Sequence, residues 1–143
     1  MKGSIQSLHV ACFIHQTEDE EKVEGALAWL VGSGAPPEAE ALEGHFGNAI
    51  KRVELNLTGK EAEAGFRQAL SRMPRTVAEE ISGEISSCMD EHGTLFIRLD
   101  KQQLVLGRVA LGSADSVRLK VKPRVDIVRG GAREFYLRLL QGG

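Results

Sequence analysis

Arg118, Lys120 and Lys122 alternate with Val117, Leu119 and Val121 in the stretch SVRLKVKP. A β-strand sends successive side chains to opposite faces, so the three cations share one side and the aliphatic residues the other. A row of cations on a sheet face suits a polyanion, because each cation can neutralise a phosphate. Arg52, Arg98 and Arg108 extend the set, and Phe13 and Phe96 stand in similar alternating runs. A flat exposed ring offers a surface on which an unpaired base can stack. The competing explanation is a solvated sheet face whose long aliphatic stems cover apolar surface.

Other chemistry is poorly supported. His9, Cys12 and His15 do not form a metal set, because the even spacing of the histidines puts them on one strand face and Cys12 on the other. His15, His45 and Asp100 could be imagined as a hydrolytic trio, but no neighbouring residue is marked as a nucleophile. The chain has no GxSxG, no P-loop and no Rossmann glycine pattern, so no enzyme, metal or cofactor is expected. Gly44-His45-Phe46-Gly47 spells the GxxG of a KH clamp, yet that clamp joins two helices and here Ile50 opens a strand. The segment reads as a turn that needs permissive backbone. An RRM is not supported, for want of its aromatic box.

Charge is unevenly placed. Residues 1–91 hold 8 Lys and Arg against 16 Asp and Glu, a balance of −8; residues 92–143 hold 10 against 4, a balance of +6. The net charge of −2 conceals an acidic part and a basic part. With 143 residues, 42% of them hydrophobic and 27% charged, the chain suits one soluble domain over 1–143. The two cysteines read as reduced buried thiols, which fits a cytoplasmic location. No signal peptide is visible, and Val10 to Ile14 is far shorter than the ~20 residues of a membrane helix.

The elements that position these residues follow from periodicity. Ile5 to His15 reads as a central strand, with Leu8, Val10, Cys12 and Ile14 inward. Thr17 and Glu20 form a capping box for a helix carried by Val23, Ala26, Leu27 and Leu30, which Gly32-Ser33-Gly34 ends. A short strand is expected around Ala41–Leu42, and Ile50 to Thr58 alternates as a half-buried strand. Gly59 to Met73 is helical, Pro74 breaks it, and a second capping box, Thr76 with Glu79, opens the next helix. Thr94 to Pro123 reads as three antiparallel strands, with turns near Lys101-Gln102 and Gly112 to Asp115. A terminal helix follows Gly130-Gly131. The sum is α+β: an antiparallel or mixed sheet of five to six strands with helices on one face.

Several stretches together resemble a known family. His15 to Val23 (HQTEDEEKV), Glu43 to Asn48 (EGHFGN), Phe96 to Gln102 (FIRLDKQ) and the basic strand Val117 to Lys122 occur in the order seen in an archaeal family described as predicted exosome subunits with an RNA-binding fold. The resemblance spans about residues 5–123. It implies a fold similar to the large-subunit ribosomal protein that binds 5S RNA, and a role beside RNA processing or degradation. It carries over His15, Thr17, Glu18, Asp19, His45, Asn48, Arg98, Asp100, Lys101 and Gln102. Lys101 and Gln102, in an expected strand-to-strand loop, have no evident packing duty and are the stronger functional candidates.

The expectation is a non-enzymatic RNA-binding protein, with Arg98, Lys101, Gln102, Arg108, Arg118, Lys120, Lys122 and His45 in contact with nucleic acid. Its partners would be RNA and exosome or ribosomal components, with no membrane. The alternative is a protein-interaction or homodimerisation module docking through the sheet or through Phe135-Tyr136-Leu137.

Overall fold

The computed structural model describes residues 4–34, 36–43 and 49–142. Five strands form one antiparallel sheet in the order β2-β3-β1-β5-β4: β1 (Ile5–His15), β2 (Glu38–Glu43), β3 (Ala49–Thr58), β4 (Leu95–Asp100) and β5 (Ser116–Pro123). Among the described residues, five helices lie between strands, α1 (Glu20–Val31), α2 (Gly59–Arg72), α3 (Arg75–Gly83), α4 (Ile85–Cys88) and α5 (Lys101–Val105), and α6 (Val125–Leu140) follows the last strand. The expected α+β class is the observed one. None of the described helices is long and apolar enough to cross a membrane.

β1 sits at the centre of the sheet, between β3 and β5. Leu8, Val10, Cys12 and Ile14 are buried beneath the helices with Val53, Leu55, Ile97, Leu99, Leu119 and Val121 of the other strands. Val23, Leu27 and Leu30 of α1 and Phe66 of α2 fill the layer from the helical side. Burial pushes the Cys12 thiol up to about 11, as suits an inert core cysteine. The Tyr136 hydroxyl of α6 donates to the carbonyls of Gly93 (2.7 Å) and Val121 (3.3 Å), fastening the last helix to the sheet. Arg72 of α2 lies 4.1 Å from the centre of the Trp29 ring and donates to the Trp29 carbonyl at 2.7 Å, clasping α1.

Gly32 ends α1 in the left-handed conformation (φ 65°), and Pro74 separates α2 from α3, both as expected. Several expectations are corrected. The first helix is capped by Asp19, which accepts from the Lys22 N–H; Glu18, just before it, turns away. α3 has no side-chain cap, so Thr76 and Glu79 form no capping box. The middle run of Thr94 to Pro123 is not a third strand. Asp100 accepts from the Gln103 N–H and starts α5, and only a short return meets the β4 edge, through Asp100 N–H to Ala110 (2.8 Å) and Gly112 N–H to Arg98 (3.0 Å). A Cβ on Gly112 would lie 2.7 Å from Asp100 Cα, so this return approaches β4 more closely than another residue type allows. α6 begins at Val125, earlier than expected, and kinks at Gly131 (φ 108°).

Candidate nucleic-acid interface

The face of the sheet away from the helices carries the candidate residues. Cross-strand register brings them together: Arg118, Lys120 and Lys122 on β5 stand opposite Ala11, His9 and Ser7 on β1, while Arg98 and Phe96 on β4 stand opposite Arg118 and Lys120. On the other side of β1, Phe13 pairs with Arg52 and Ala11 with Glu54 of β3. Arg98, Arg118 and Lys122 are exposed and Lys120 half-buried. None of these four makes an ion pair with a described residue. Two rings lie among them. The Arg118 guanidinium is 5.6 Å from the centre of the Phe13 ring, and Lys120 Nζ is 6.0 Å from that of Phe96. Phe96 is 45% exposed.

Two hollows open on this side. One, of about 400 Å³, is lined by His9, Ala11, Arg52, Phe96, Ile97, Arg98, Arg118, Leu119 and Lys120. The other, of about 590 Å³, shares Phe96 and Lys120 and runs past Lys122 and Thr94 to Val125, Val128 and Arg129 at the start of α6. Across β1 the charge reverses. Glu38 and Glu40 of β2 lie opposite Glu54 and Arg52. Glu54 Oε2 is 2.6 Å from His9 Nε2 and 3.4 Å from Arg52, and the His9 hydrogen bond holds its carboxyl below the usual range.

Lys101 is elsewhere and differently placed. It is 1% exposed. Its ammonium donates to Glu18 Oε1 (2.7 Å) and to the Phe13 carbonyl (2.8 Å), and lies 2.8 Å from Asp115 Oδ2. Gln102 Nε2 donates to the other Glu18 oxygen at 3.1 Å. The residues expected to be free of packing duty therefore tie the turn after β1 to α5 and to the loop before β5. Burial alone would lower the Lys101 pKa, but its two carboxylate partners hold it above the ordinary 10.5. His15, Glu18 and Asp115 have the right types and proximity for a cation site, and the Lys101 ammonium already supplies the positive charge there.

Arg108 also departs from the set. It is exposed in the loop after α5, beyond the β4 edge and outside both hollows. His45 and the GxxG turn lie outside the described residues. Of the terminal segment expected to offer apolar surface, Phe135, Tyr136 and Leu140 are buried in the core, which corrects the expectation for them, and Leu137 is half-buried against it. Ala11 and the His9–Glu54 pair were not singled out from sequence. Alternation places His9, Ala11 and Phe13 on one face, but the hollow over Ala11 is made by β3, β4 and β5, whose registers depend on long-range pairing.

The arrangement can hold phosphates on cations and a flat group beside Phe96. A family model described as RNA binding matches residues 7–123. The chain belongs to this RNA-binding family. It is 35% identical over 136 residues to a Pyrococcus abyssi protein named an RNA-binding protein, covering 85% of this chain and 86% of that one. Solved structures of family members have the same fold. A protein from Archaeoglobus fulgidus is 30% identical with a TM-score of 0.78, covering 94% of this chain and 99% of that one. Another, from Methanothermobacter thermautotrophicus, is 31% identical with a TM-score of 0.73, covering 96% and 99%.

Proposed function

We propose that this protein binds RNA through the β4–β5 half of its open sheet face, with Arg98, Arg118, Lys120 and Lys122 on phosphates and Phe96 available for stacking. The observation that carries this is the convergence around an exposed ring of four cations that make no ion pair with a described residue, in a chain of an RNA-binding family. Cations already paired would have to break an ion pair to take a phosphate; these four do not. The acidic β2 side repels the backbone, so the RNA lies towards β4 and β5.

The function is carriage or presentation of RNA, not its cleavage, and sits beside RNA processing or degradation. The resemblance to exosome subunits supports this placement, and co-purification with exosome subunits tests it. The same resemblance implies likeness to the ribosomal protein that binds 5S RNA, which backbone superposition tests.

Filter binding across a salt series tests the RNA contact. Each phosphate contact adds to the slope of log affinity against log salt. Lys120→Glu/Lys122→Glu should lower affinity about 10- to 100-fold at low salt and make the slope shallower by about 2. Unchanged affinity and slope in that variant would remove this face as the binding site.

A further inference from the structure

We infer that the hollow over Ala11 seats one unpaired nucleobase, so that RNA is engaged as a single strand at this point. This rests on the RNA-binding reading above and narrows it to one class of ligand.

Ala11 is 3% exposed although it belongs to the outward face of β1. It is covered because larger side chains on three strands rise around it while it stays short. The result is a hollow of about 400 Å³ with a methyl group on its floor, within the about 300–1,000 Å³ typical of small-ligand sites. Five of its lining residues carry planar groups (His9, Phe96, Arg52, Arg98 and Arg118), beside Ile97, Leu119 and Lys120. Planar rings and guanidiniums are the surfaces on which unpaired bases stack.

A duplex cannot use such a hollow. Its bases are stacked inside the helix, and it presents phosphates and 2′-hydroxyls, which would reach only the rim cations. A phosphate alone would need neither the ring nor the depth. The second hollow adjoins the first through Phe96 and Lys120 and offers Lys122 and Arg129 to the backbone, with Asp90 and Glu91 also on its lining. His9, on the opposite side of the lining, is fixed by its 2.6 Å hydrogen bond with the Glu54 carboxylate.

The test keeps every charge in place. Ala11→Leu fills the hollow from its floor. Fluorescence anisotropy would compare wild type and variant on three probes of equal length: single-stranded RNA, the same sugar-phosphate chain without bases, and duplex RNA. Wild type should bind the base-bearing strand about tenfold or more tighter than the abasic chain. Ala11→Leu should abolish that preference and leave abasic binding as it was. Phe96→Ala, at an exposed ring, should shift the preference in the same direction and carries the test should Ala11→Leu melt early. A wild type that binds abasic or duplex probes as tightly as the single strand would overturn the base seat and leave the RNA-binding face standing. So would filled-hollow and ring variants that both bind the single strand like wild type. Failure of wild type to bind any of the three would overturn both.

Discussion

Lys101, at the start of α5, and Lys120, on β5, carry the same charge, yet their surroundings are opposite. Lys101 is sealed among Glu18, Asp115 and the Phe13 carbonyl. Lys120 reaches towards solvent beside an exposed ring and makes no ion pair with a described residue. The first cation is already satisfied and spends its charge on holding three segments together. The second, with Arg98, Arg118 and Lys122, has charge to offer a ligand. Residue type alone does not separate them; the presence of a buried acceptor does.

The sharpest way to break this contrast is to remove the charge of Lys101. Lys101→Met should destabilise the fold by about 3 kcal/mol, because the largely buried Glu18 carboxylate loses its partner. Urea unfolding measures it, and the fully folded variant should keep the salt dependence of RNA binding. A stable variant with a shallower salt slope would instead make Lys101 a phosphate ligand.

A smaller effect appears in pH. Burial would raise the Glu18 carboxyl, but hydrogen bonds from Lys101 and the His15 N–H outweigh it and hold the group below its ordinary 4.5. A depressed carboxyl adds stability that is complete above about pH 4.5 and is lost as pH falls through the folded value. Lys101, raised above 10.5, adds stability that is complete below that pH and is lost as pH rises through its folded value. The gap in Tm between wild type and Lys101→Met should therefore be widest between these limits and narrow beyond each. A gap constant with pH would mean that the variant acts through packing alone.

The smallest effect is expected at Arg108. Exposed beyond the β4 edge and outside both hollows, it should lower RNA affinity by about twofold or less when changed to Ala. Arg118→Ala, by contrast, removes both a cation and a wall of the hollow and should cost about tenfold. Equal losses at the two sites would erase the distinction between cations gathered on the face and those scattered off it.

Alternation in β1, β3 and β5 was legible from sequence because each strand buries one face, and a shift of one residue would expose its valines and leucines. The breaks at Gly32 and Pro74 were legible because each acts through its own backbone. The segment after Asp100 was misread. The short apolar run after Gln102 is compatible with a strand or a helical turn, and what decides is the Asp100 cap together with Leu104 and Lys101 turning inward. Glu18 enters from sequence only through the family resemblance; its partner lies 83 residues away and no local spacing points to it.

By itself the sequence determined which side chains share a strand face, where helices stop, and that the basic residues gather late in the chain. These are local consequences of periodicity, capping and composition. The tertiary structure alone decided which cations meet. Strand order places β4, β5, β1 and β3 side by side, so that Arg98, Arg118 and Arg52 surround Ala11. The same packing carries Lys101 to Glu18 and Asp115 and withdraws it from the surface. Register and burial are long-range properties, and they separate a cation that binds from one that braces.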